Sequence, residues 1–151
     1  MDKILELKYQ KFSSLESMSL SDRSLLDEAI ASTSRSHAPY SNFRVGAAAK
    51  LKSGKIIYGA NVESEVYPAG ICAERNLLFA HSASDVDDDI VAIAIASVPD
   101  DRECYPCGLC RQTLLDVERR QGNPIRIIMG GGSSATVVES ASVLVPFSFI
   151  L

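Results

Sequence analysis

Residues 90–98 read Ile-Val-Ala-Ile-Ala-Ile-Ala-Ser-Val, a nearly unbroken apolar run rich in β-branched side chains. A strand with one wet face alternates polar and apolar residues. This run leaves no face for water, so the strand it predicts must be covered on both sides. The rest of the chain supplies the cover. Ser21-Asp22 can open a helix, and Leu25, Leu26, Ala29 and Ile30 then fall on one stripe. Two strands follow at 43–51 and 55–62, with Ser53-Gly54 between them as a hairpin signal. A helix rich in Leu77, Leu78, Phe79 and Ala80 is expected at 72–82. After the buried strand comes a second such helix at 107–120, with Leu114, Leu115 and Val117 apolar, stopped by Gly122-Asn123-Pro124. Residues 125–129 read as another buried strand and 136–138 as a last short one. Residues 2–12, with Ile4, Leu5 and Leu7, read weakly as a helix. A hairpin followed by alternating helix and strand implies an α/β fold, a three-layer α/β/α domain around a mixed sheet.

The 151 residues suit one domain with a real core, expected over 19–151, with 1–18 as an N-terminal extension of unknown role. Hydrophobic residues make up 46% and charged residues 23%, which leaves no composition bias toward disorder. The net charge of −4 repels phosphate backbones and argues against a nucleic-acid partner. No apolar run is long enough to span a bilayer, and Met1-Asp2-Lys3-Ile4 lacks a signal-peptide layout. The expected location is the cytoplasm, where clustered cysteines more often mean metal or catalysis than disulfides.

All four cysteines bear on function: Cys72, Cys104, Cys107 and Cys110. Three thiolates can hold Zn²⁺ and leave its fourth position open, whereas four close it as a structural site. Thiol redox chemistry is a third reading of the same spacing. Cys107 and Cys110 are three apart, so the start of a helix puts both sulfurs on one side. Cys72 also opens a helix. Two helix N-termini aimed at one point favour thiolates through their free N–H groups and dipoles. Glu74 stands two residues from Cys72, placed to move protons without binding metal. Three thiolates overcompensate Zn²⁺ and blunt its power to acidify water. Arg75, donating to ligand sulfurs, would restore that power.

Five ordered segments resemble the cytidine deaminase family in its small, homotetrameric, all-cysteine form. They are Pro39-Tyr40-Ser41-Asn42-Phe43-Arg44-Val45-Gly46-Ala47-Ala48, Gly59-Ala60-Asn61-Val62-Glu63 with Tyr67 after it, Cys72-Ala73-Glu74-Arg75, Pro106-Cys107-Gly108-Leu109-Cys110-Arg111-Gln112, and Leu144-Val145-Pro146-Phe147-Ser148-Phe149. The resemblance implies a five-stranded mixed sheet and one Zn²⁺ per subunit on Cys72, Cys107 and Cys110, with Cys104 a bystander. It implies that Glu74 takes a proton from water and delivers it to N3 of the pyrimidine while the oxygen attacks C4 and ammonia leaves. Asn61 and Glu63 would hold the ribose 3′-hydroxyl, and Phe43 would pack on the base. Tyr67 would line the substrate site, and backbone groups near Ala73 and Cys107 would meet the amide edge of the base. Phe149 would enter the site of a neighbouring subunit. The implied function is deamination of cytidine and deoxycytidine in pyrimidine salvage, on a small nucleoside substrate, with no nucleic-acid or membrane partner. Ser64-Glu65-Val66 and Pro68-Ala69-Gly70-Ile71 depart from the family's usual text beside the sugar site.

Three rivals share parts of this pattern. A blasticidin-type nucleoside-antibiotic deaminase has the same zinc core, but intact Asn61 and Glu63 favour an ordinary nucleoside. A polynucleotide cytosine deaminase needs a basic surface that this chain lacks. A non-enzymatic four-cysteine zinc module leaves Glu74 without a purpose. His37 and His81 read as surface or satisfied core residues. The acidic run 85–89 reads as a solvated loop, and Gly130-Gly131-Gly132 as a turn. Arg111 and Gln112 read as braces of their helix and its surrounding loops.

Overall fold

The computed structural model describes residues 1–84 and 87–151. Its elements in chain order are β1 (Gln10–Phe12), α1 (Leu20–Ser32), β2 (Arg44–Leu51), β3 (Ile56–Ala60), α2 (Ala73–Ser84), β4 (Ile90–Val98), α3 (Gly108–Gln121), β5 (Arg126–Gly131) and β6 (Ser134–Val138). The strands form one mixed sheet in the order β1-β6-β5-β4-β2-β3. Strands β4 and β5 are parallel, with Ala92 opposite Arg126 and Ile95 opposite Met129. Every other pairing is antiparallel. Helix α3 forms the crossover between the two parallel strands, the connection that parallel pairing demands.

The alternation hidden in β4 separates the layers. Ile93 and Ile95 join the cluster of Leu77, Leu78, Leu114 and Leu115 from α2 and α3. Ala94 and Ala96 face the other way, against Leu25, Leu26 and Ala29 of α1. Large residues thus fill the two-helix side and small ones admit the single helix closely. Strand β2 repeats the scheme, with Ala47, Ala49 and Leu51 on one side and Ala48 on the other. Both faces are covered, as the apolar run requires.

Local chemistry sets the helix ends. Ser19 caps α1 by accepting from the Asp22 amide at 3.1 Å, so the start lies earlier than Ser21-Asp22 suggested. Asp22 is released from capping and pairs, buried, with Arg126 at 2.7 Å. Ile30, expected on the buried stripe, is 42% exposed. Helix α3 ends where expected, because Gly122 adopts φ 73° and its amide bonds Glu118 O. Arg111 donates to Pro106 O at 2.8 Å and Gln112 to Asp116 at 2.8 Å, the bracing roles expected of them. Gly132, at φ 58°, turns β5 into β6. His81 is buried, its Nε2 2.8 Å from Asp88 O. The acidic run falls partly on residues 85–86, outside the described residues, while Asp88 accepts from the Ser53 amide at 3.0 Å.

Two further expectations are corrected here. The sheet has six strands rather than five, and residues 2–12 form no helix. Gln10–Phe12 is instead an edge strand on β6, with Lys11 opposite Thr136 and Phe12 opposite Ala135. Ile4, Leu5 and Leu7 find no apolar face and stay exposed, whereas Phe12, Leu15 and Met18 pack on the α1 side of the sheet. A short helix needs a tertiary partner for its stripe, and the described residues offer none.

Candidate metal centre and active site

Cys72 and Cys107 each stand one residue before a helix. The Asn76 amide donates to Cys72 O at 3.0 Å and the Arg111 amide to Cys107 O at 2.9 Å, so each cysteine carries the first turn of its helix. Cys110 follows in the first turn of α3 and is fully buried. The two positive helix ends meet where the three sulfurs meet. Close approach of α2 to the sheet makes this possible. A Cβ on Gly59 of β3 would lie 2.3 Å from Ala73 O, so only glycine lets the start of α2 settle there.

The three Sγ atoms lie within 4.8 Å of one another. Cys72 and Cys107 are 3.9 Å apart, and Cys107 and Cys110 3.5 Å. Ligands on a tetrahedral Zn²⁺ with Zn–S of about 2.3 Å are about 3.8 Å apart, so this trio has the spacing of one tetrahedral face. The fourth apex belongs to no cysteine: Cys104 stands outside the cluster among the described residues. Hydrogen bonding to Cys110, aided by Arg75 and Cys107, holds the Cys72 thiol down to about 5. Burial pushes Cys104 up to about 11, the state of an inert thiol. Arg75 Nη2 lies 3.8 Å from Cys72 Sγ, and its Nε is buried without a hydrogen-bond partner. A guanidinium so placed, three converging thiols and an open apex together fit zinc.

Beside the sulfurs opens a cavity of about 640 Å³. Glu74 lines it while only 3% exposed, and burial pushes its carboxyl up to about 7. Phe43, Asn61, Glu63, Tyr67 and Arg75 line the same cavity. Asn61 Oδ1 accepts from the Val45 amide at 2.8 Å and from Ser36 Oγ at 2.5 Å, and Nδ2 donates to Phe43 O at 2.9 Å. Glu63 accepts from the amides of Tyr40 at 2.8 Å and Ser41 at 3.2 Å, and from the Ser41 hydroxyl. Both side chains therefore pin the loop that carries Phe43 into the wall. Asn61 and Glu63 lie past the end of β3, which stops at Ala60 rather than running to 62.

Ala73 and Phe149 stand apart from this cavity lining. Ala73, the first residue of α2, is fully buried against β3. Phe149 is 70% exposed, its carbonyl accepting from Arg119 at 3.0 Å. The sequence reading missed Cys104 and Tyr105 as wall residues. Their only sequence signal is position, three and two residues before Cys107.

Residues 19–121 match the family model described as the cytidine and deoxycytidylate deaminase zinc-binding region. The cytidine deaminase of Halalkalibacterium halodurans is 42% identical over 93 residues, covering 62% of this chain and 69% of its own. The probable cytidine deaminase of Dictyostelium discoideum is 42% identical over 87 residues, 58% of either chain. Among solved structures, the cytidine deaminase from Burkholderia pseudomallei is similar with a TM-score of 0.71 at 34% identity, over 87% of this chain and all of that one. The chain belongs to the cytidine and deoxycytidylate deaminase family.

Proposed function

We infer that this protein is a zinc-dependent hydrolase that converts cytidine and deoxycytidine to uridine and deoxyuridine, with release of ammonia, in pyrimidine salvage. One observation carries the reading: a buried carboxyl, Glu74, shares a nucleoside-sized cavity with a three-thiol cluster whose fourth apex is open. Cys72, Cys107 and Cys110 hold the zinc. Zinc bound there supplies Lewis acidity, lowering the pKa of water toward neutrality. Glu74 takes the proton from the attacking water and hands it to N3 of the base as oxygen bonds C4. It then carries a second proton to the departing amino group, so that water and cytidine balance against uridine and ammonia. Its burial favours the neutral carboxyl that must bond the ring in the protonated half of the cycle.

Phe43 stacks against the base and Tyr67 closes the wall. Glu63, half-buried in the cavity wall with its loop bonds made, accepts a ribose hydroxyl. Asn61 spends one amide N–H on Phe43 O and has the other for the 3′-oxygen. Ala73 is fully buried outside the cavity lining, so the backbone near Cys107 is the one that meets the amide edge of the base. Arg75 offsets the surplus charge of the thiolates. Phe149, exposed at the C-terminus, completes the site of a neighbouring subunit in a homotetramer. A cytoplasmic location suits a site that needs its cysteines as thiols rather than disulfides. No described helix is long and apolar enough to cross a membrane.

The test is the ultraviolet absorbance change of cytidine on incubation with zinc-loaded protein. Conversion is expected, abolished by a chelator and restored by Zn²⁺. Zinc-loaded protein that leaves cytidine and deoxycytidine untouched overturns the reading.

A further inference from the structure

Glu103 has no part in the chemistry above, yet its carboxylate is among the most heavily bonded groups in the molecule. It is 8% exposed and takes donors from three directions. Lys11 of β1 pairs with one oxygen, and Ser134 of β6 donates to the same one. Thr136 of β6 donates to the other at 2.6 Å, and the Tyr105 hydroxyl to that one at 2.8 Å. Lys11 reaches Glu103 because it sits opposite Thr136 in the sheet, on the same face. The intervening Cys104 is tied down separately, its amide donating to Gly130 O at 3.0 Å.

Tyr105 is the end of this chain of bonds that matters for substrate. It borders both the substrate cavity and a second cavity of about 610 Å³, in which Lys11 and Glu103 lie. Lys11 stands outside the residues 19–121 that match the family model, and it reaches the substrate cavity only through Glu103 and Tyr105.

We propose that Lys11 is a positioning residue: through Glu103 it holds Tyr105 in the wall of the substrate cavity, so that the N-terminal strand sets how tightly substrate binds. The proposal rests on the cytidine reading for its affinity argument, and on bond geometry alone for the position of Tyr105. Lys11 is the only cation bonded to Glu103 among the described residues. Without it the carboxylate is left nearly buried and short of a charge partner, a costly state. Rotation into the adjoining cavity would rehydrate it and release the Tyr105 hydroxyl.

Three variants test this, with kcat, KM, zinc per chain and Tm measured for each. Lys11→Met and Tyr105→Phe should each raise KM for cytidine by about threefold to tenfold, the size of one lost hydrogen bond. In both, kcat should hold within roughly twofold and zinc content should not change, because among the described residues the bonds of both side chains run to Glu103 and Thr136 rather than to the sulfurs or Glu74. The double variant should be no worse than the poorer single one, since both act through one carboxylate. Lys11→Arg should restore KM. Wild-type KM in Lys11→Met or in Tyr105→Phe, or effects that multiply in the double variant, would overturn the proposal. A second readout needs no turnover: in protein labelled with 3-fluorotyrosine, the ¹⁹F resonance that Tyr105→Phe deletes should shift or broaden in Lys11→Met and return in Lys11→Arg. An unmoved resonance overturns the proposal whatever the substrate proves to be. A moved resonance in a protein inert to cytidine sinks the substrate reading and leaves the brace standing.

Discussion

Glu74 and Cys104 show how much environment decides what a side chain can do. Both are buried near the sulfurs, and burial raises the pKa of each. For Glu74 the shift, to about 7, makes a carboxyl that can both take and give a proton near neutral pH. For Cys104 it favours the protonated thiol, and what keeps Cys104 off the metal is its place outside the three-sulfur cluster. Glu74→Gln should therefore keep its zinc and lose turnover by about 10²–10⁴-fold. Metal analysis beside the cytidine assay checks this, and near-normal turnover would remove Glu74 from its role. Cys104→Ser should keep both zinc and activity. Loss of metal in that variant would reveal a fourth sulfur ligand and a closed site. These two side chains were legible from sequence to different degrees. Glu74 stood out because it lies two residues from a cysteine that opens a helix. Cys104 became a bystander only through the family resemblance, since its spacing from Cys107 equals that of Cys110.

At the scale of elements, the site is an agreement between two helix starts. Helix α2 brings Cys72, Glu74 and Arg75, and α3 brings Cys107 and Cys110. Both lie on the same side of the sheet through Leu77, Leu78, Leu114 and Leu115. The height of α2 above the sheet is set at Gly59, where any side chain strikes Ala73 O and Leu77. Gly59→Ala should cost about 1–3 kcal/mol through overpacking. That corresponds to a fall in Tm of about 2–4 °C or more per kcal/mol for a chain of this size. Zinc affinity should weaken too, because Cys72 moves with the helix. A thermal melt and a competitive zinc titration check the two effects, and an unchanged Tm would show that α2 can lift freely. The helices and inner strands were readable because period and punctuation agreed: apolar stripes on α2 and α3, the glycine stop at 122, the unbroken run at 90–98. Strand β1 was not. Three residues with a lysine at their centre carry no strand signal of their own, and β6 alone gives them a pairing partner.

Across the whole molecule, two buried or nearly buried carboxylates tie distant parts of the chain together. Asp22 joins α1 to β5 through Arg126, and Glu103 joins β1 and β6 to the loop before α3. Burial opposes the charge on Glu103, but hydrogen bonds from Lys11, Ser134, Thr136 and Tyr105 win and hold it at about 2, below the ordinary 4.5. A carboxyl lowered on folding stabilises the protein above its unfolded pKa and loses that contribution as pH falls toward its folded one. The stability gap between the wild type and Glu103→Gln, read from urea unfolding, should be constant above about pH 5 and close between about pH 4.5 and 2. A gap independent of pH would mean that the charge on Glu103 is not what its neighbours stabilise. By itself, the sequence determined the layered α/β class and the order of the main elements, which follow from periodicity and turn residues, both short-range in the chain. Spacing left three or four sulfur ligands open, and the family resemblance chose Cys72, Cys107 and Cys110. Only the tertiary structure decided the sixth strand and the link from Lys11 through Glu103 to Tyr105, and it sets Cys104 apart from the sulfur cluster as the resemblance implied. The edge strand and the reach of Lys11, Ser134 and Thr136 to Glu103 depend on which side chains meet across 31 to 125 residues of chain, and local propensity has no means of encoding such distances.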